Sequence, residues 1–518
     1  MDHRLLPIPQ PFVTFGLLAL TAFFVVRGLV PALSGITTDF PNYYTSARLV
    51  TEGRDITHIY HDDWFQDRIR EYGMDQDGKF SPFPPPTALL LVPLAALPPS
   101  EALRVFTLLN CALLFVGVHL VRTIVGVSPG GATKTRSTDD MASSPRPDAG
   151  EEHGSLPVRP FDFPPAMSDS PGRAGTQGRT PRQDDDNRRI GEAFNESMIR
   201  SIVGRPSGWR RKSDDPFSVE ALKESALIIL LSGLGLANCF RFGQWYVVMS
   251  VALLAAYRFF RIGRPYISGM LLGFFLPIKY FPLFPLLAFL LVREWKVVAS
   301  ALVTAALVVV VSVCVLGWPV HEEFLGRVLF PHLGGHFGNQ GSFTSAFQSW
   351  DALFRQLFVH DSNENPTPMI DAPALFWIMK LLVSAMILSG VALTLRRVWS
   401  IGPGGRLDAA IVLFSIAGLL LAPGTATYHF VLLWLPVALL LSLFARHGQV
   451  LWERPALALY GLIGFIYYTF FQQFDRTGPG SILSFPRLAL LAGLFCVTLA
   501  GISRISGPAR QEQETEKV

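Results

Sequence analysis

Long apolar runs with few charged residues constrain this chain more than any other feature. Eight of these runs approach or exceed the roughly 20 mostly apolar residues that a membrane-crossing helix needs. They are 11–33, 102–125, 297–317, 374–395, 407–422, 428–445, 455–471 and 485–503. Only helices and closed barrels cross a bilayer, because every backbone polar group there must be hydrogen-bonded within the protein. The runs therefore predict an all-α polytopic membrane protein. The first run is too long for a cleavable signal peptide, so we expect it to remain as the first spanning helix.

Five further apolar runs are short, and Pro, Gly or polar residues interrupt them. They are 85–97, 225–238, 245–260, 266–277 and 281–292. Counting them with the long runs predicts about 11–13 transmembrane helices. Short and broken segments are tolerated at membrane depth where they are buried in protein or line a wet cavity. We therefore expect the centre of the chain to line a site.

The composition agrees with a membrane protein and excludes several other classes. Of the 518 residues, 50% are hydrophobic and 16% are charged, whereas soluble domains carry about 25% charged residues. The net charge of +4 is too small to indicate a nucleic-acid partner. All four cysteines lie in apolar runs, and none forms a C-x-x-C motif. Neither a disulfide framework nor a zinc site is indicated, and the cysteines fit small core positions.

Basic residues predict which loops face the cytoplasm. Short loops in the second half of the chain contain Arg258, Arg261, Arg264, Arg293, Lys296, Arg396, Arg397, Arg446 and Arg454. The positive-inside rule makes these loops cytoplasmic, which leaves the long loops 34–84 and 318–373 on the external face. Residues 85–97 fit this orientation badly, because a full crossing there would put the following loop outside.

Residues 127–221 differ from the rest of the chain. They are rich in Ser, Pro, Gly, Asp and Arg and poor in aliphatic residues, so they cannot bury enough apolar surface to offset the entropy of ordering. We predict a disordered insert without a catalytic role, on the cytoplasmic side. The chain then divides into 1–126, the insert 127–221, short broken hairpins in 222–317, an external loop 318–373, C-terminal helices in 374–503 and a polar tail 504–518.

The segment TTDFPNYYTSARLV, at 37–50, carries the first candidate for chemistry. Asp39 precedes Pro41, so it can cap the helix that starts there. The residues that follow, including Tyr43 and Tyr44, suit a short amphipathic helix in the membrane interface. Alternatively, partial desolvation could raise the pKa of Asp39 enough for the carboxylate to act as a general base. The two roles are compatible.

Two polar breaks in the central region supply further candidates. RFGQWYVV places Arg241 and Gln244 in a turn between apolar runs, and LPIKYFPLFP does the same for Lys279. A Lys within a membrane segment is costly to bury and marks a functional site by default. Lys279 could hold an anionic phosphate, or it could extend its amine to the interface.

The polar loop FPHLGGHFGNQGSFTSAFQSW, at 330–350, offers hydrogen-bonding groups for a sugar or a phosphate. Its candidates are His332, His336, Asn339 and Gln340. The glycines at 334 and 335 argue against a helix that would bring the two histidines together on zinc. In LLAPGTATYHFVLLWLP, His429 follows Tyr428 near the start of an apolar helix. It could contact a phosphate there, or it could be hydrogen-bonded inside the bundle.

The order of these motifs resembles that of the polyprenol-phosphate-mannose-dependent mannosyltransferases of glycosyltransferase family 87, which have the type C glycosyltransferase (GT-C) fold. The matching segments are DFPNYYTSARLVTEG from Asp39, FPPPTALLLVPLAALP from Phe83, GQW from Gly243, PIKYFP from Pro277, NQGS from Asn339 and APGTATYHF from Ala422. Phe83 stands where a Tyr is usual. The last segment keeps one histidine of a usual pair and lacks the usual Trp.

The resemblance implies an inverting glycosyltransferase in the cell (plasma) membrane, with its active site on the external face. Asp39 would be the general base, and Lys279, His429 and Arg241 would bind the donor phosphate. The donor would be a polyprenyl-phosphate sugar, with mannose expected, and the acceptor a glycolipid or glycan. No cofactor is expected, and the resemblance does not decide whether a divalent cation is required.

Two other functions fit parts of the pattern. A transporter or flippase would also use broken helices and buried charges, but no clear internal repeat is visible, and two long external loops suit an extramembrane site better. A membrane scaffold would use the insert as its working part. The chain has no GxGxxG, P-loop or GxSxG motif, which disfavours nucleotide-dependent transport and α/β-hydrolase chemistry.

Overall fold

The computed structural model describes residues 10–81, 83–125, 219–333 and 341–505. Within these ranges the secondary structure is helical, apart from one isolated bridge between Asp361 and Asn365. The prediction of an all-α polytopic membrane protein is confirmed. Most of the insert and most of the C-terminal tail lie outside the described ranges, so the predicted disorder of the insert stays a prediction.

The first part of the chain forms four α-helices and two short 3₁₀ helices. They are α1 (Gln10–Ser34, with a π turn at Val25–Leu29), α2 (Phe40–Thr51), α3 (Asp62–Glu71), the 3₁₀ helices Pro85–Leu89 and Val92–Leu94, and α4 (Pro99–Val125). After the insert, the helices are α5 (Val219–Leu230), α6 (Leu234–Arg241), α7 (Tyr246–Arg261), α8 (Pro265–Phe275), α9 (Leu283–Leu291) and α10 (Trp295–Leu316).

The last part of the chain is again mostly long helices. It comprises α11 (Trp318–Phe324), a π turn (Leu325–Leu329), α12 (Phe330–Leu333), α13 (Trp350–Phe358), α14 (Pro373–Arg397), α15 (Pro403–Leu421), the 3₁₀ helix Thr427–Leu433, α16 (Trp434–Arg446), α17 (Val450–Phe465), the 3₁₀ helices Tyr468–Phe474 and Gly478–Ser484, and α18 (Pro486–Ser503).

Seven helices in the described ranges are long and apolar enough to span a membrane. They are α1, α4, α10, α14, α15, the continuous segment Thr427–Arg446, and α18. The number rises to as many as nine if each of two bent pairs is one span. Helices α6 and α7 are bent by 119° at the break between them, and α17 and the 3₁₀ helix after it are bent by 72°. The predicted 11–13 spans were too many. Helices α8 and α9 have 11 and 9 residues, and at about 1.5 Å per residue neither reaches across a ~30 Å hydrocarbon core.

The run 85–97, counted among the short apolar runs in the predicted number of spans, does not form an α-helix. It forms the two 3₁₀ helices instead, because Pro93 lacks an N–H and its ring would clash within an α-helix. Even at about 2.0 Å per residue, such a short run cannot cross a ~30 Å hydrocarbon core. The conflict with the predicted orientation of α4 therefore disappears.

Helix α2 is largely buried by other parts of the protein. Nine of its twelve residues are buried, including Tyr43 and Tyr44. It packs against the two 3₁₀ helices, α3 and α4. Its aromatic residues therefore contact protein, and its predicted position in the membrane interface stays a prediction.

The buried apolar residues form two clusters. The smaller one contains Phe40, Phe65, Phe80 and Phe106 and surrounds α2. The larger one joins the central helices to the C-terminal helices and includes Phe281 and Phe430. The polar residues described below lie where the two clusters meet.

Candidate active site

A glycine turn brings the centre of the chain against the start of α2. Gly243, in the turn between α6 and α7, has a φ of +64°, which favours glycine. A Cβ on this residue would lie 2.9 Å from the Cβ of Phe40. Both the backbone conformation and the close approach therefore require glycine. The next residue, Gln244, donates its backbone N–H to the Cys239 carbonyl at 2.8 Å, which closes the turn.

Gln244 connects Asp39 with Tyr43 on α2. Its Nε2 donates to Oδ2 of Asp39 at 2.6 Å, and its Oε1 accepts from the Tyr43 hydroxyl at 2.8 Å. Burial raises the pKa of Tyr43, so the hydroxyl keeps its proton and orients the amide. Gln244 is 1% exposed, which holds the carboxylate against a rigid partner. The second oxygen of Asp39 accepts no hydrogen bond from any described residue.

The prediction that Asp39 caps α2 with its side chain is wrong. Asp39 occupies the N-cap position, but its carboxylate makes no capping hydrogen bond. Its backbone is helical there, with φ −94° and ψ −29°, whereas a capping residue usually has an extended backbone. Only the carbonyl of Asp39 supports the helix start, by accepting from the Asn42 N–H at 3.1 Å. The carboxylate is therefore free for another role.

Lys279 lies in the turn between α8 and α9, beside aromatic rings. Its Nζ is 4.3 Å from the centre of the Phe83 ring and 5.7 Å from that of Tyr246. These rings attract the cation, but the ammonium donates to no acceptor in the part of the chain that the structure describes. A cation among apolar residues is normally paired. One without an acceptor among the described residues is a candidate for binding an anionic ligand.

Asp39 and Lys279 influence each other without forming an ion pair. Asp39 and Lys279 are each partly exposed to solvent, but protein atoms surround the carboxylate and the ammonium. Desolvation raises the pKa of Asp39, and the hydrogen bond from Gln244 and the charge of Lys279 oppose that shift. Desolvation likewise lowers the pKa of Lys279 to about 8, against the charge of Asp39. Their charged atoms are not within the 4.0 Å of an ion-pair contact, so each can still bind a ligand.

His429, on the 3₁₀ helix before α16, lies near Lys279. Its Nδ1 accepts from the Ala426 N–H at 3.0 Å, so the neutral ring carries its proton on Nε2, which is a donor. The ring centre is 4.6 Å from that of Tyr246 and 5.1 Å from that of Phe281. It is also close enough to Lys279 for the two to interact electrostatically. Asp39, Gln244, Lys279 and His429 thus form one polar cluster, although they come from four separate segments of the chain.

A buried arginine that the sequence reading passed over braces the segment carrying His429. Arg487 is 1% exposed, and its guanidinium donates to the Thr427 hydroxyl and, at 2.6 Å, to the Ile466 carbonyl. Its backbone N–H donates to Oε1 of Gln348 at 2.9 Å, and the N–H of Gln348 donates to the Thr425 carbonyl at 3.0 Å. A lone arginine inside the predicted span 485–503 was the signal, because such residues mark functional sites.

In the described structure, the remaining predicted site residues are not seen beside Asp39, Gln244, Lys279 and His429. Arg241 is exposed at the end of α6 and faces a different groove. Tyr44 is 2% exposed and donates its hydroxyl to the Leu97 carbonyl at 2.7 Å. His332 lies on α12, but its side chain is outside the described set, as are His336, Asn339 and Gln340 entirely. Their binding roles stay predictions.

The described residues contain no group of three His, Cys, Asp or Glu side chains that could hold a metal ion.

Comparison with known proteins gives one family match. The family model for glycosyltransferase family 87 matches residues 199–423, which is less than half of the chain. The match includes Gln244 and Lys279 but ends before His429 and begins after Asp39. No curated protein and no solved structure matches the chain. The match, together with the helical membrane fold, supports a membrane glycosyltransferase.

Proposed function

We propose that this protein is an integral-membrane glycosyltransferase that uses a polyprenyl-phosphate sugar as donor. It transfers a hexose, expected to be mannose, to a lipid or glycan acceptor at the external face. The observation that carries the proposal is the polar cluster in which the Asp39 carboxylate, held by Gln244, and the Lys279 ammonium, beside the Phe83 ring, lie near each other without forming an ion pair. The family match to residues 199–423 supports the same reaction class.

Asp39 acts as the general base in this proposal. Its carboxylate takes the proton of an acceptor hydroxyl while that oxygen attacks the anomeric carbon and the bond to the phosphate oxygen breaks. A single displacement of this kind inverts the anomeric configuration. The raised pKa of Asp39 brings the base closer in strength to the hydroxyl that it must deprotonate. The hydrogen bond from Gln244 keeps the carboxylate oriented.

Lys279 and His429 bind the leaving phosphate. The polyprenyl phosphate leaves as an anion, so the reaction requires cations and donors at that position rather than a general acid. The Lys279 ammonium supplies charge, and Nε2 of His429 supplies a donor. The membrane fold suits such a donor, because the prenyl chain can stay in the bilayer while the phosphate and sugar reach Lys279, His429 and Asp39.

Replacing Asp39 with Asn tests the proposal directly. Membranes containing each variant are assayed with a labelled polyprenyl-phosphate mannose and a glycolipid acceptor extract. We expect Asp39→Asn to lower kcat by about 10²–10⁴-fold, the usual contribution of a general base. Glu101→Gln is the matched control and should keep full activity. Glu101 is an exposed carboxylate on α4, and its ion-pair partner among the described residues is Arg104.

Two results would contradict the proposal. An Asp39→Asn variant that keeps more than a tenth of the rate would exclude the general-base role. A protein that moves the labelled lipid across vesicle membranes without forming a glycosidic product would be the transporter considered above.

A further inference from the structure

A groove lies between α1 and the end of α6. Its volume is about 440 Å³, within the roughly 300–1,000 Å³ typical of ligand sites. Its floor is tied together by the Thr37 hydroxyl, which donates to the carbonyl of Arg241. The lining residues are Val26, Arg27, Pro31, Ser34, Gly35, Ile36, Thr37 and Arg241. Thr37 is two residues from Asp39, so this groove adjoins the candidate active site.

Two arginines face the groove, and neither is paired with an acid in the described residues. The Arg27 guanidinium lies 5.9 Å from the centre of the Tyr467 ring, and that of Arg241 lies 5.5 Å from the centre of the Phe242 ring. By contrast, Arg54 in the first external loop forms an ion pair with Glu71 at 2.6 Å. Each guanidinium offers several N–H donors in a fork that suits phosphate. The groove therefore carries two unused positive charges.

The backbone of α1 is shaped around this groove. Arg27 lies in the π turn Val25–Leu29, a helix irregularity that often occurs at functional sites. Its neighbour Gly28 allows α1 to touch α6, since a Cβ there would lie 2.9 Å from the Cα of Ala237. This contact brings the helices carrying Arg27 and Arg241 together. An arginine inside a spanning helix is expensive unless it has an anionic or polar partner.

One rim of the groove is apolar and faces outward. Val26 in the lining is 64% exposed, and Val30 and Leu33, which follow it on α1, are 51% and 42% exposed, as expected for residues that meet acyl chains. We propose that this groove binds the phosphate of an anionic lipid, with the acyl chains of that lipid lying along α1. The inference concerns binding alone and does not depend on the proposed transferase activity.

Lipid binding by the full-length protein tests the inference. The protein is placed in nanodiscs of phosphatidylcholine with increasing phosphatidylglycerol, and the lipids it retains are counted by native mass spectrometry. We expect the double variant Arg27→Gln/Arg241→Gln to lose about tenfold or more in phosphatidylglycerol affinity, as for lost charge-assisted hydrogen bonds. Arg396→Gln/Arg397→Gln, at the exposed end of α14, removes the same charge elsewhere and should change the affinity less than about twofold.

Three results would overturn the inference. Equal losses in the two double variants would mean general attraction of anionic lipid to a basic protein. Unchanged affinity in the groove variant would mean that the groove is not a lipid site. Displacement of phosphatidylglycerol by millimolar inorganic phosphate would identify a site for free anions. If the double variant does not fold, Arg27→Lys and Arg241→Lys, which keep the charge but lose the fork, should each weaken binding severalfold.

Discussion

Two carboxylates of this protein have similar types of residue near them but differ in how many of their oxygens accept hydrogen bonds. Asp39 has a tyrosine, an amide and a cation near it. Asp408, on α15, is fully buried and has Tyr257, Arg446 and Arg261 around it. Tyr257 donates to one carboxylate oxygen at 2.6 Å, and Arg446 donates to the other at 2.6 Å. Each oxygen of Asp408 accepts a hydrogen bond, whereas one oxygen of Asp39 lacks a donor among the described residues.

The same contrast separates two lysines. Lys380, on α14, donates to the buried Asp351, which Arg355 also contacts at 2.8 Å. Among the described residues, Lys279 has the Phe83 and Tyr246 rings beside its ammonium and no ion-pair partner. A satisfied charge in the interior joins helices, while an unsatisfied charge is available to a ligand. Substitutions of the paired residues should therefore change stability, and substitutions of the unpaired residues should change function.

The largest effect is expected from the structural carboxylate. Asp408→Asn leaves two arginines without their anion, and breaking a buried pair in this way costs about 3–5 kcal/mol. Chemical denaturation in mixed micelles should show that loss in the free energy of unfolding. Asp39→Asn should unfold within about 0.5 kcal/mol of the wild type, as for substitutions that break no structural pair. If the two variants lose equal stability, Asp39 also has a structural role.

Removing Lys279 should weaken the donor complex specifically. Lys279→Ala is expected to raise the donor Kd by about 10–100-fold, the range for a hydrogen bond to a charged group. Binding of a non-hydrolysable polyprenyl-phosphonate sugar would measure the change. Lys380→Ala is the control, since it should lower stability and leave the donor Kd unchanged. An unchanged donor Kd in Lys279→Ala would remove this residue from the site.

Arg487 is expected to act through His429. Arg487→Lys keeps the charge but cannot donate to Thr427 and two carbonyls from one planar group. The donor KM should rise by about 3–10-fold, the effect of losing a hydrogen bond. In the background of His429→Ala the same change should add little, because the two residues would act as one unit. Additive effects would mean that Arg487 only stabilises the fold.

The smallest effect is a change of rate with pH. Because the pKa of Lys279 is lowered to about 8, its ammonium is mostly charged at pH 7 and loses its proton as the pH rises through 8. The protonated form binds the anionic donor, so kcat/KM should fall by about twofold between pH 7 and pH 8 and more steeply above. Lys279→Arg should flatten this alkaline fall, since a guanidinium stays charged. A fall that persists in Lys279→Arg would have another cause.

Local sequence patterns were enough for the long helices and for the positions of the polar turns. Length and hydropathy belong to each segment by itself, so the runs beginning at 11, 102 and 374 predicted α1, α4 and α14 within a few residues. For the same reason, Gln244, Lys279 and His429 were recognisable as polar breaks in apolar sequence. The resemblance to a known family then related these breaks to Asp39.

Tertiary structure decided which of these features have which partners. The hydrogen bond between Asp39 and Gln244 joins residues 205 positions apart, so no local pattern contains it, and the predicted side-chain cap failed for that reason. Covering by neighbours also buried α2, and Pro93 with nearby packing turned the run 85–97 into 3₁₀ helices. The sequence by itself determined where charges occur among apolar residues. Only packing determined that Asp408 and Lys380 are paired with opposite charges while Asp39 and Lys279 remain open to a ligand, because pairing depends on side chains that folding brings within hydrogen-bonding distance.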